Sequence, residues 1–176
     1  MKILLVGFCS LLQLAVISTS AWAISSSTDT PAIPILNFKK VEDGIFRGGR
    51  PTPEGLAALK KLGIKTIIDL ENAPAVIQAE KLVANQQKMQ FISYSMDYKT
   101  SPDPNQVARV LTAINSQKNQ PVFVHCKHGQ DRTGLIIGLY RMKFDKWTGK
   151  EAYAEMIANH FHPMFKNLTA YFKSQE

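Results

Sequence analysis

The sequence predicts an α/β fold with a mostly parallel central sheet flanked by helices. Short apolar runs alternate with longer stretches of helical period along most of the chain. A run such as "IKTIIDL" is apolar and β-branched, the pattern of a strand covered on both faces. Thr52, Pro53 and Gly63 sit where a helix between strands would be capped, started and closed.

In chain order, Met1 and Lys2 give a basic start, Ile3 to Ile17 is an almost unbroken apolar run, and Ser18 to Ala23 ends in "AWA". Residues 1–23 therefore read as a secretory signal peptide cleaved after Ala23. The run is shorter than the roughly 20 apolar residues a spanning helix needs. Phe8 stands before Cys9 where a lipoprotein signal carries a small residue, so the mature chain is expected to be soluble and exported, periplasmic or secreted. Residues 24–34 are rich in Ser, Thr and Pro and read as a disordered lead-in. Residues 35–176 are expected to form one domain, long enough for its own core.

Within that domain "GIFRGGRP" reads as a short strand and a Gly-Gly turn, and "TPEGLAALKKLG" as a helix. "IKTIIDL" is a strand, "PAVIQAEKLVANQQ" a helix and "QFISYSM" a strand. "PNQVARVLTAINSQ" is a helix with Val107, Val110, Leu111 and Ile114 on one face. "PVFVHC" follows as a strand, and "TGLIIGLYRMKF", "GKEAYAEMIANH" and "MFKNLTAYFKS" read as helices.

The formal net charge of +7 suits an anionic substrate or the face of an anionic membrane, and equally an ordinary basic surface. The lysines are scattered without interleaved aromatics, which gives nucleic-acid binding no support. With Cys9 in the leader, Cys126 stands alone, so the domain is expected to hold without a disulfide. A lone cysteine is either a small core residue or a reactive thiol, and its neighbours must decide.

Those neighbours are "HCKHGQDRTG", at the end of an apolar strand and the start of a helix, where open α/β sheets bind ligands. Unpaired amides and the helix dipole favour an anion there. Gly129 lets the backbone curl into a nest, and Arg132 can clamp two oxygens of a phosphate. Dipole and arginine together favour the thiolate of Cys126, so the elements that hold a phosphate also activate the sulfur to attack it.

The loop resembles the active-site loop of the cysteine-based tyrosine and dual-specificity phosphatases, matching at His125, Cys126, Gly129, Arg132, Thr133 and Gly134. The likeness extends from about Ile45 to His160, and "GIFRGGRPTPEGLAALKKLGIKTIIDL" resembles the opening of small exported bacterial phosphatases of the dual-specificity type. A cysteine late in the chain argues against the low-molecular-weight phosphatases and arsenate reductases. The resemblance implies a dual-specificity-phosphatase-like fold and a phosphomonoesterase acting on protein phosphotyrosine, with phosphoserine and phosphothreonine also open. It implies Cys126 as nucleophile and a phosphocysteine intermediate. Arg132 and the amides of Lys127, His128, Gly129, Gln130, Asp131 and Arg132 would hold the phosphoryl oxygens. Thr133 would donate its hydroxyl to the sulfur, and His125 would orient the loop. Neither a metal nor an organic cofactor is called for.

The family also needs a general acid after a strand, and "SYSMDYKTSPDPNQV" offers Asp97 and Asp103. Asp97 is preferred because it directly follows the strand; Asp103 reads more simply as a helix cap. Asp131, inside the loop, is a third candidate, since some phosphoinositide phosphatases of the superfamily carry their acid there. Lys127 and His128 are either a cationic rim or a solvated loop edge. Arg47 reads as an anchor paired with a carboxylate or, with Arg50, as a pocket residue. His160 and His162 have a metal-like spacing, but without a third ligand they read as a helix end closed by Pro163. Two other readings stand beside the first: an inositol-phosphate or phospholipid phosphatase with the same machinery, and a non-catalytic phospho-ligand module. A rhodanese-like sulfur transferase would not need the arginine.

Overall fold

The structure, a computed structural model, is described for residues 33–176; the expected signal peptide and nearly all of the lead-in lie outside the described residues. Strands β1 (Lys39–Glu42) and β2 (Ile45–Gly48) form a hairpin, followed by α1 (Pro53–Lys61), β3 (Thr66–Asp69), α2 (Pro74–Gln86) and β4 (Gln90–Ser93). Then come α3 (Pro104–Asn115), β5 (Val122–His125), α4 (Asp131–Lys143), α5 (Gly149–Ala158) and α6 (Lys166–Lys173). The sheet order is β1-β2-β5-β3-β4, and every pairing except β1 with β2 is parallel.

The expected α/β architecture is present, and its local causes are the expected ones. Thr52 caps α1 by accepting from the Gly55 amide at 3.2 Å, with Pro53 at the first helical position. Gly63 follows the helix at φ +91°. Strand residues alternate between two cores: Ile67 and Phe123 pack with Leu56, Leu59 and Ala84 on the α1–α2 side. Ile68, Val122 and Val124 pack with Leu111, Leu135, Leu139 and Phe172 on the other. Both faces of β3 and β5 are thus buried, and each large side chain so covered contributes about 1.5–3 kcal/mol. Helix α4 is buried from Arg132 to Arg141, the central helix of the second core.

Two expectations need correction. Strand β1 was not foreseen, because "KKVE" is polar and at most half buried, and it is held by pairing to β2 rather than by an apolar face. Nor do Gly48 and Gly49 form a left-handed turn. Gly48 ends β2, and a Cβ on it would lie 3.0 Å from the Phe123 ring and from Ile35. A Cβ on Gly49 would lie 3.2 Å from backbone atoms of Lys127 and His128. The pair is small so that other chain segments can close upon it.

The sheet brings the carboxyl ends of β2, β5 and β3 side by side, with His125 in register between Gly48 and Asp69. The loop after β5 therefore lies between two segments that come from far earlier in the chain.

Candidate active site

Cys126 directly follows β5 and is 3% exposed. The chain then curls through Lys127 to Gln130, with Gly129 at φ +71°, and α4 begins at Asp131, two residues before the expected start. Arg132 and Thr133 consequently belong to the first helical turn, where amides have no intrahelical acceptor. Among the described residues, no amide from Lys127 to Thr133 finds a protein acceptor. The result is a run of donors at the positive end of a helix, the arrangement that binds an oxyanion. Gln130 precedes α4 without a side-chain capping bond, and Lys127 and His128 are exposed at the rim.

Arg132 is 7% exposed. Its Nη1 donates to the carbonyls of Leu70 and Met96, each at 3.1 Å, and to Asn72 Oδ1 at 3.4 Å. Leu70 and Met96 lie just past β3 and β4, so the carboxyl ends of two strands fix one arm of the guanidinium. Its Nε and Nη2 have no protein partner among the described residues, which leaves one side of the planar fork free for a bidentate oxyanion. The Tyr98 ring centre lies 5.9 Å from the guanidinium carbon. Thr133 Oγ1 is buried and has no partner among the described residues, a hydroxyl available to the sulfur or to a phosphoryl oxygen.

His125 is fully buried, with Nε2 2.9 Å from Glu80 Oε1 and 3.8 Å from Asp69 Oδ1. Burial works against its charged form, but the two carboxylates and neighbouring Cys126 prevail, and its pKa is raised. Asp69 is pushed up too, chiefly by burial, with His125 and the Glu71 amide pulling the other way. Glu71 is pushed up by burial and held below its ordinary value by Arg50, whose Nε and Nη2 donate to it at 2.5 and 2.6 Å. Asp69, Glu71 and His125 lie close enough together to hold a cation. Glu71 is engaged by Arg50 and one Asp69 oxygen by the Glu71 amide, however, so the cluster works as a charge network behind the loop.

A pH dependence follows. A group whose pKa is raised on folding stabilises the fold below its unfolded value, and that stabilisation is lost as pH climbs through the raised one. The thermal midpoint should fall as pH rises above about 6.5, the ordinary histidine value. Glu80→Gln should flatten that slope; melting curves of both proteins from pH 6 to 9 would check it.

The three candidate acids each accept from a backbone amide, in different surroundings. Asp103 is exposed and caps α3, accepting from the Asn105 amide at 2.9 Å. Its charge acts on Tyr171, whose pKa is raised by burial and by Asp103. Asp131 accepts from the His162 amide and meets His162 Nδ1, both at 2.9 Å, tying the first turn of α4 to the chain after α5. Asp97 follows β4, and one of its oxygens accepts from the Lys99 amide at 2.9 Å in a tight local turn. Tyr98, next to it, reaches Arg132 and packs edge-on against Phe165 at 5.2 Å.

Other expectations are adjusted. Helix α5 ends at Ala158, with His160 left-handed at φ +64°, so the end precedes Pro163. His160 and His162 do not act together, since His162 serves Asp131. Arg47 is buried but donates to the Gly129 carbonyl at 2.7 Å rather than pairing with a carboxylate; that role belongs to Arg50. Sequence reasoning did not single out Asp69, Glu71, Glu80, Asn72 or Tyr98. The signal that could have found the first three is an acidic residue at a strand end or within an otherwise apolar helix face.

Residues 32–168 match the model of the family described as the tyrosine phosphatase family. An inositol diphosphatase of Oryza sativa subsp. japonica is 35% identical over 136 residues, covering 76% of this chain and 65% of that one. The dual specificity protein phosphatase TpbA of Pseudomonas aeruginosa is 26% identical over 124 residues, covering 70% and 54%. The chain thus spans 54–65% of the length of these relatives. The crystal structure of TpbA superposes with a TM-score of 0.69 at 23% identity, over 79% of this chain and 84% of that one, a likeness of fold.

Proposed function

We infer that this chain, which belongs to the tyrosine phosphatase family, is a cysteine-dependent phosphatase that works through a phosphocysteine. The observation that carries the reading is the loop itself. Cys126 stands at the base of a run of amides without acceptors, beside a guanidinium with one side free and a buried hydroxyl without a partner. Such a site stabilises the charge of a phosphoryl group in transfer.

The Cys126 sulfur attacks phosphorus in line, so an S–P bond forms as the bond to the leaving oxygen breaks. The leaving oxygen keeps the electron pair and takes a proton from Asp97. Water then attacks the phosphocysteine and gives its proton to the Asp97 carboxylate. The S–P bond breaks, the sulfur departs as thiolate with Thr133 donating to it, and phosphate is released. Asp97 is assigned this role because its neighbour Tyr98 lies beside Arg132; like Asp103, it accepts from the amide two residues further on.

For substrate, phosphorylated inositols come first and protein phosphotyrosine second, reversing the order that the sequence suggested. Exposed Lys127, in the loop, and Lys99, next to Tyr98, bring positive charge to this region, which suits a compact, multiply charged ester. The 35% identical relative is named an inositol diphosphatase, and the 26% identical one a dual specificity protein phosphatase. The apolar leader supports action outside the cytoplasm.

The test is phosphate release by the mature protein, without added metal, from inositol phosphates, inositol diphosphates, phosphotyrosine and phosphoserine peptides and anionic phospholipids. Release from the inositol compounds at a higher kcat/KM than from the peptides supports the order given. The reverse ranking restores the protein-phosphatase reading, and no release by a protein that still binds phosphate supports a binding module. Asp97→Asn should slow alkyl phosphates by about 10²-fold or more and esters of acidic phenols far less, because a good leaving group needs no proton. Equal slowing of both would remove Asp97 from the acid's role.

A further inference from the structure

The phosphate loop turns its amides one way, and its carbonyls are held from the other side. Three successive carbonyls are engaged by one short stretch of the chain near its beginning. The Arg50 amide donates to Lys127 O at 3.2 Å, Asn37 Nδ2 to His128 O at 2.9 Å, and Arg47 Nη2 to Gly129 O at 2.7 Å. Gly49, inside the same stretch, donates to Leu36 O at 2.7 Å, which closes the stretch upon itself. Asn37 is left-handed, at φ +53°. A left-handed non-glycine residue is uncommon, and asparagine is among the few that tolerate it.

Arg47 stands out within this group. It is 2% exposed, and among the described residues its Nε and Nη1 are buried without a partner, so the one hydrogen bond this guanidinium makes there goes to the loop. Burial works against its charge, which nearby Glu155 and Cys126 support. A buried cation with a single neutral acceptor is expensive unless something compensates it. Its hydrogen bond goes to a loop carbonyl, and the charges acting on it are those of Glu155 and Cys126 in its favour and Arg141 against it. A peptide unit whose carbonyl is fastened outward must point its amide inward, and the three fastened carbonyls each belong to a unit whose N–H is the next donor of the nest.

We propose that Asn37, Arg47 and the Arg50 amide form an external splint that keeps the loop in its anion-binding shape before any ligand arrives, with Arg47 as a positioning residue for Cys126 and the loop amides. The proposal rests on reading the loop as a phosphate site. Donors held in place bear no reorganisation penalty at the moment of reaction, whereas a loose loop must be ordered by the ligand itself. Loss of the splint therefore weakens oxyanion binding and turnover without removing any group that touches the substrate.

The experiment uses the full mature chain and three variants: Arg47→Met, Arg47→Lys and Asn37→Gly. Glycine keeps the left-handed backbone at position 37 and deletes only the amide donor, so that variant tests the splint even where Arg47→Met fails to fold. Tungstate affinity is read by calorimetry, alkylation of Cys126 by iodoacetamide at pH 6 reports the thiolate, and kcat and KM are measured on the best substrate. Arg47→Met should lose about tenfold or more in tungstate affinity and alkylate more slowly, with kcat reduced. Asn37→Gly should lose several-fold in affinity, and Arg47→Lys, which still offers one donor, should fall between wild type and Arg47→Met. Folded variants that match wild type in affinity and alkylation overturn the splint, while wild-type turnover leaves the phosphatase reading intact. Wild type without turnover, but with tungstate binding weakened in the variants, overturns the phosphatase reading and supports the splint. Wild type that binds no tungstate overturns both.

Discussion

Cys126→Ser is expected to abolish phosphate release, by roughly 10⁴-fold or more, since loss of a nucleophile removes the reaction channel and leaves only the binding site's residual effect. Serine is nearly the same size, so the buried position at the end of β5 accepts it. Its hydroxyl is a far weaker nucleophile toward phosphorus than the sulfur it replaces. The groups that hold the oxyanion, the amides from Lys127 to Thr133 and the Arg132 fork, are untouched. Tungstate or phosphate affinity should therefore stay within a few-fold of wild type, measured by calorimetry alongside turnover. Residual turnover at the wild-type rate would point to another nucleophile. Binding lost together with turnover would mean that the loop is not the site.

Gly129→Ala is expected to be the most damaging single methyl group in the protein. Two effects add there: the residue sits at φ +71°, and its Cβ would run into backbone, 2.6 Å from the Gly49 nitrogen and 2.5 Å from the Gly48 oxygen. Gly63→Ala separates the two, because Gly63 lies at φ +91° with nothing within 4 Å of a Cβ. A left-handed alanine costs about 1–2 kcal/mol. With the clash added, Gly129→Ala should cost about 3–4 kcal/mol. For a domain of this size that lowers the melting midpoint by roughly 6–15 °C, against a few degrees for Gly63→Ala. Turnover should fall with stability in Gly129→Ala alone. Equal melting points for the two variants would show that the loop yields and that the close approach is not a constraint.

The parts of this protein legible in its sequence are those set by local rules. Apolar β-branched runs such as Ile64–Leu70 and Pro121–Cys126 found β3 and β5, because strands buried on both faces leave no polar alternation to confuse the period. Proline and threonine at the start of α1, and Val107, Val110, Leu111 and Ile114 in α3, marked those helices. The loop from His125 to Gly134 could be read because cysteine, glycine and arginine act within ten residues of one another. What the sequence hid is what acts at a distance. Glu80, in the middle of α2, reaches His125, and Asn37 reaches His128 across 91 positions. Strand β1 was hidden for the same reason, since only its neighbour makes it a strand. The sequence left Asp97, Asp103 and Asp131 as alternatives, and what it could not show is the amide each accepts from, that of Lys99, Asn105 and His162 respectively.

The strand order has a consequence for how the molecule comes into being. Strands β2 and β3 are not neighbours; each takes β5 beside it. The hairpin of β1 and β2 and the pair β3–β4 can be joined into one sheet only once Val122–His125 has been made, because β5 is the strand between them. Long-range closures of this kind are slow, and open ribbon edges are where chains stick to one another. The strand that joins the two halves of the sheet is also the one that Cys126 directly follows. Completing the sheet and placing Cys126 between the ends of β2 and β3 are then a single event, and a chain without β5 in place has no assembled candidate site.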